Sequence, residues 1–371
     1  MRGIFNSDKR VFGLDLMRTV AITMVLLAHC VWIFPENDGW LSQIMALFGF
    51  LGVEIFFVLS GFLIGRILYR QFTSADFNFS SIRLFLKRRW FRTLPNYFLI
   101  LMVNLLIACF IGYPVEGAWR YFIFMQNFAT PLLPFFPESW SLSVEEFAYV
   151  ILPLVLFGFG AFPARSEKSK IFLTIVIMLI IAGFFAKVIY HISVQDMSLK
   201  HWNIALKSVV IYRVDAIFTG VLFSWIYSNY HDFWKRIRII AAVAGFVMMG
   251  FFTAGIGYFR LLIETHPFFW NVIYLPAASF SIALFLPILT GWRTANGILK
   301  KPVTFISLIS YSIYLLHYSV ILQSLKQVVD TESLSDASRI LFTAGYLCLT
   351  IFSSFLLFRY FEKPFTDLRD R

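Results

Sequence analysis

Ten stretches of about 20 predominantly apolar residues follow one another along this chain, each long enough to cross a bilayer as a helix. They fall at 11–33, 45–68, 94–113, 144–162, 171–190, 207–227, 237–257, 270–290, 302–325 and 340–361. Composition agrees: 59% of the 371 residues are hydrophobic, 14% are charged, and 45 are Phe. No polar block is large enough for a soluble domain. The expectation is an all-α, polytopic membrane helix bundle forming one domain over residues 1–371. The first stretch is longer than a signal-peptide core and holds ionisable groups, so it reads as a retained span. The segment WRYFIFMQNF at 119–128 is too short to cross and reads as an interfacial or re-entrant helix.

The net charge of +11 would suggest nucleic acid in a soluble protein. Here its distribution explains it. With the N-terminus placed in the cytosol, the inner segments hold 23 Lys and Arg and the outer segments hold 7, with Lys187 counted outside. Cytosolic loops of membrane proteins carry that excess, so both termini are expected inside and no nucleic-acid partner is needed. Cys30, Cys109 and Cys348 all lie in apolar runs and read as small packing residues. The six His are too scattered for a metal set, so no metal is expected.

Ionisable residues inside spans are costly unless paired or wetted, which makes them functional candidates. In GLDLMRTVAITMVLLAHC, Arg18 and His29 are eleven residues apart. They differ by about 20° around a helix and by about 16 Å along it. Asp15, three residues before Arg18, joins the same stripe. That stripe reads either as an ion pair plus a satisfied interior histidine, or as part of a site. Glu54, in GVEIFFVLSGFLIG, is expected at a depth similar to His29.

RLFLKRRWFRTLP puts Arg88, Arg89 and Arg92 at the inner surface, as a lipid anchor or as a phosphate-binding cluster. PESWSLSVEEFAY delivers Ser141 and Glu145 from outside, where a Glu pair also serves as a helix-start device. YRVDAIFTG puts Arg213 and Asp215 in the sixth span, two apart and facing different partners. ISYSIYLLHYS puts Ser310, Tyr314 and His317 on one stripe of the ninth. By this topology His29, Glu54, Glu145, Arg213, Asp215 and His317 fall in the outer half. Asp15, Arg18 and the 88–92 cluster fall in the inner half, as if around a site with two mouths.

In this order, these segments resemble the acyltransferase-3 family of membrane acyltransferases. The matching pieces are LDLMRTVAITMVLLAH, with the family's Arg-x10-His as Arg18 and His29; GVEIFFVLSGFLIGR; RRWFR, with Arg89 and Arg92; SWSLSVEEFAYVILP; YRVDAIFTG; SYSIYLLH; and FEKPF. Met17 and Ala148 depart mildly from the family pattern, away from the candidate groups. Many members carry a fused extracytoplasmic esterase-like domain, and this chain resembles a stand-alone form.

The resemblance implies O-acylation, usually acetylation, of a carbohydrate acceptor at the bacterial inner membrane, with acetyl-CoA as donor. Acceptors in the family include lipopolysaccharide O-antigen, other surface polysaccharides and peptidoglycan. A sugar hydroxyl needs a general base, and His29 is the expected one, oriented by Glu54 or Glu145; the alternative is a covalent acyl-His or acyl-Ser relay that carries the acyl group across the membrane. Arg18, Arg88, Arg89 and Arg92 are expected to hold the donor. Asp15, Ser141, Arg213, Asp215, Tyr314 and His317 are expected to support the site or the acceptor. The rival readings are a proton-coupled transporter or flippase of a glycan-type substrate, for which no inverted repeat is found, and a scaffold protein.

Overall fold

The computed structural model describes residues 10–34, 39–160 and 167–368. Residues 161–162 of the expected fourth span lie outside these, as do Arg2, Lys9, Arg165, Arg369 and Arg371 of the charge split. Among the described residues, ten helices are long and apolar enough to cross a membrane. They are α1 (Phe12–Ile33), α2 (Ser42–Phe72), α3 (Phe79–Ile111), α4 (Pro137–Gly160) and α5 (Lys168–Ser193). The remainder are α6 (Val210–Asn229), α7 (His231–Tyr258), α8 (Phe269–Gly291), α9 (Gly297–Val328) and α10 (Asp336–Leu368). An even number of crossings puts both described ends on one side, called here the inner side.

The bundle is built around α2. Of its apolar window 67% is buried inside the protein, against 22% for α7 and 17% for α10, which face outward. Lipid supplies no hydrophobic drive between helices, so close approach through small residues does the packing. At the α2–α6 crossing a Cβ on Gly61 would overlap the Ile217 carbonyl oxygen, and one on Gly220 the Val58 carbonyl oxygen. Each helix thus presses glycine against the other's backbone.

All ten expected spans are present, but α3 begins at Phe79 rather than near residue 94. Asn78 caps it: its side chain accepts from Ser81 N–H at 3.2 Å, and the Ser81 hydroxyl accepts from Asn78 N–H in return. Gly112, at φ 68°, stops the other end. Arg83, Lys87, Arg88, Arg89 and Arg92 therefore ride on the same continuous helix as the span, rather than preceding it. A hydropathy window rejects that basic turn, whereas the cap and the backbone bonds admit it.

The segment 119–128 also differs. Only Trp119–Phe122 is helical, and Phe124 turns the chain at φ 60°. Beyond it Gln126 and Asn127 are buried in irregular backbone, and the chain is exposed again by Ala129. Buried amides hold it there: Gln126 donates to Ser143 Oγ at 2.7 Å, and Asn127 donates to Trp140 O at 3.0 Å and Ser208 O at 2.6 Å. Irregular backbone survives at membrane depth only when protein satisfies it in this way.

Substituting Gly61 or Gly220 by Val is expected to cost about 1–3 kcal/mol through overpacking of the crossing. Thermal unfolding in detergent should show the loss. Gly158, which has open space beside it, should accept Ala with little change, and equal tolerance at all three positions would contradict the crossing.

Candidate active site

The polar stripe of α1 lies against α9. Asp15 accepts from Arg10 Nη2 at 2.6 Å, from Arg18 Nη1 at 3.4 Å and from Ser307 Oγ at 2.9 Å. Arg18 Nη1 also reaches Ser307 Oγ at 3.2 Å. Eleven residues further along α1, His29 meets His317 of α9, with ring centroids 4.6 Å apart. The two helices run the same way and stay in register between these points.

At the upper point α9 widens to π-helical bonding over His317–Gln323. An ordinary helix would splay consecutive side chains by about 100°. Here both His317 and Tyr318 face His29, the Tyr318 ring centroid lying 4.7 Å from that of His29. Widened turns of this kind are frequent at functional sites.

The hydrogen bonds assign the tautomers. His317 Nδ1 lies 2.7 Å from Tyr314 O, and His29 Nδ1 lies 2.8 Å from Val25 O. A carbonyl only accepts, so each Nδ1 carries the proton of the neutral ring. His317 Nε2 is then an acceptor, 3.3 Å from His29 Nδ1. The unprotonated lone pair of His29 is on Nε2, and the residue is only partly buried.

Three cavities bear on the site; neither histidine lines one of them itself, but the pair touches Tyr314, in the wall of one, and Tyr318, in the wall of another. An inner one of about 410 Å³ is lined by Arg10, Asp15, Arg18, Arg66, Arg92, Glu362 and Lys363, among others. Its five cations outnumber its two acids, which suits a polyanionic ligand. A middle one of about 100 Å³ shares Arg18, Leu63 and Arg92 with it and adds Ser60, Arg89, Ser141, Glu145, Ser310 and Tyr314. An outer groove of about 480 Å³ begins at Tyr318 and Ser319.

Glu145 and the arginines, expected in opposite halves of the membrane, therefore line one cavity. Arg89 lies 4.2 Å from the centre of the Tyr149 ring, and the Tyr149 hydroxyl donates to Glu145 at 2.8 Å and also bonds Ser60. The length of α3 carries Arg89 and Arg92 to this depth. Arg88 points elsewhere: it is exposed and lines none of the three cavities. Ser141 bonds the Tyr314 hydroxyl at 2.7 Å in the cavity wall.

Other candidates are engaged apart from this site. Glu54 does not reach His29, since its two oxygens accept from Arg213 and Ser279. The Nδ1 of His29 is held instead by the backbone carbonyl of Val25. Asp215 is paired with Lys187 at 2.5 Å, deep between α5 and α6. Lys187 is fully buried there, which corrects its count among outer-loop charges. Glu54, Arg213 and Asp215 line none of the three cavities.

Sequence reasoning missed Glu138. It is buried, and its carboxylate accepts from Ser319 N–H at 2.9 Å and Ser319 Oγ at 2.6 Å. Its backbone oxygen accepts from the Tyr314 hydroxyl at 2.9 Å. Glu138 thus fixes the widened turn that carries His317 and Tyr318. A carboxylate just before an apolar run was the available signal. Among the described residues no His, Cys, Asp or Glu cluster has the number needed to hold a metal ion.

The fold and these cavities define a polytopic membrane protein with charged cavities in its interior. The family described as "Acyltransferase domain" (Acyl_transf_3) matches residues 11–359, and the chain belongs to it. It is similar to the peptidoglycan O-acetyltransferase OatA of Listeria monocytogenes, at 26% identity over 85% of this chain and 50% of that protein. It is also similar to the O-acetyltransferase OatA of Staphylococcus aureus, at 25% identity over 85% of this chain and 51% of that protein. The chain spans about half the length of these curated relatives. No solved structure matches it.

The Glu54–Arg213 pair yields a stability prediction. Glu54→Ala or Arg213→Ala leaves a buried charge without its partner, a loss of about 3–5 kcal/mol. The double variant should recover part of it in detergent unfolding. A stable single variant that is inactive would instead assign Glu54 to the chemistry.

Proposed function

We propose that this chain is a membrane O-acetyltransferase that moves an acetyl group from cytosolic acetyl-CoA to a hydroxyl of a surface or lipid-linked glycan. The observation that carries this reading is the position of the His29–His317 pair. It stands between a cation-rich inner cavity and an uncharged outer groove. The inner side is taken as the cytosol, on the distribution of Lys and Arg.

CoA phosphates are anionic, and Arg10, Arg66, Arg92 and Lys363 offer them cations at the inner mouth. Arg18 and Arg92 line both inner cavities and would guide the extended arm of the donor inward. Arg18 has Asp15 and Ser307 to fix its fork. Arg89 and Glu145 line the middle cavity, beside the path of the thioester.

The acceptor hydroxyl gives its proton to His29 Nε2 as its oxygen attacks the thioester carbonyl. The C–O bond of the new ester forms and the C–S bond breaks. The imidazolium then returns the proton to the departing sulfur, leaving CoA as the thiol. His317 Nε2, bonded to the Nδ1 proton of His29, is placed to share the positive charge of the intermediate ring. Bacterial inner-membrane placement follows from the same reading.

The test uses protein in nanodiscs with acetyl-CoA and isolated cell-surface glycan, read by the mass gain of one acetyl group. His29→Gln should lower kcat by about 100-fold or more, while donor binding persists. Arg18→Lys should also lose rate, because a point charge does not replace a planar fork. Arg92→Ala should raise KM for acetyl-CoA more than KM for the acceptor. A well-folded His29→Gln protein of near-normal rate would remove the base assignment. Transport of unmodified glycan with no acetyl gain would favour the flippase.

A further inference from the structure

We propose that the outer groove is the acceptor subsite and that it selects an uncharged sugar; this rests on the acyltransfer reading above. The groove's volume, about 480 Å³, falls within the range of ligand pockets. None of the fifteen residues lining it is charged. The inner cavity, with five cations, is its chemical opposite. An anionic ligand that lost water here would find no countercharge, a cost of several kcal/mol for a buried ion. Lys326 is close in sequence, but its ammonium is turned away to Trp32 O at 2.7 Å.

What the groove does offer matches a sugar. Tyr113 and Tyr318 present aromatic faces for the apolar C–H side of a pyranose ring. Asn104, Gln323 and Gln327 present amides, which both donate to and accept from hydroxyls. Ser319, which also lines the groove, is held in place by donating its N–H and its hydroxyl to the Glu138 carboxylate. Glu138 itself does not line the groove.

The groove is also joined to the chemistry. Tyr318 lines it and touches the His29 ring. A sugar stacked on Tyr318 would bring one hydroxyl to the side of the base. At the opposite end the rim includes Ile111 and Val328, both exposed apolar side chains. The groove therefore opens beside the apolar belt that the bundle turns to lipid, where a sugar on a lipid carrier would arrive.

The experiment separates binding from turnover. Ser324→Cys is made in a background with Cys30, Cys109 and Cys348 replaced by Ser, in phosphatidylcholine nanodiscs. Labelling by a water-soluble maleimide is timed with maltotriose, with chitotriose, and with a carboxylated trisaccharide of galacturonate. Acetyl transfer to the same sugars is measured in parallel. At least one uncharged trisaccharide should slow labelling severalfold and the carboxylated one should not. Gln327→Glu should remove the protection and raise the acceptor KM with less effect on the KM for acetyl-CoA.

Equal protection by all three sugars, or by none, overturns the proposal. Should Ser324→Cys fold poorly by size-exclusion, Gln327→Cys serves as the second reporter. Protection without transfer keeps the groove as a sugar site and sinks the acyltransfer reading. Transfer without protection sinks the groove and keeps that reading.

Discussion

The contact between α1 and α9 is the constraint on which the site depends. A helix in hydrocarbon has no water to satisfy its polar side chains, so α1 can carry Asp15, Arg18 and His29 only if another helix answers them. Helix α9 answers at two heights. Ser307 meets Asp15 and Arg18, and His317 meets His29. This two-point match fixes axial register, so neither helix can slide without stranding a polar group. It also sets the distance between the charged inner cavity and the histidine pair.

The interior charges fall into two kinds. Glu54 with Arg213, and Asp215 with Lys187, are closed pairs with almost no exposed surface. They stand beside the glycine crossing of α2 and α6, where backbones are close and no cavity is left. Breaking either would leave a bare charge in low dielectric. Arg18, Arg89, Arg92 and Glu145 border open cavities instead. The same residue types thus close a buried contact in one place and border open space in the other.

Much of this was legible in the sequence. Ten apolar runs with basic residues concentrated on alternate connections define the bundle, because bilayer thickness fixes how long each run must be. The α1 stripe was legible because helical periodicity puts positions 18 and 29 on one face. Depth was harder. Hydropathy ends a span where charges begin, so the basic turn of α3 read as surface although its capped helix carries Arg89 and Arg92 inward. Partners between helices were not legible at all. Nothing in the local sequence distinguishes Asp215, bound to Lys187, from Glu145, which lines a cavity. Glu138 was passed over because its role is to hold a turn of α9 that lies 181 residues further along the chain.

In the proposed acyl transfer, a neutral histidine pair is an economical base for such a place. A permanently charged residue at the junction would need a permanent counterion, and the counterion would neutralise the function. Histidine can remain uncharged until a proton arrives. Its cost is ambiguity, since either ring nitrogen can hold the proton. Here the carbonyls of Val25 and Tyr314 remove that ambiguity by accepting from both Nδ1 positions. These carbonyls are parts of the helix backbones themselves, so the lone pair on His29 Nε2 is oriented without any third ionisable group in the membrane. That explains how Glu54 can be given over wholly to Arg213 and Ser279. The widened turn of α9 carries both His317 and Tyr318, so one segment supplies His29 with its neighbour and with its link to the outer groove.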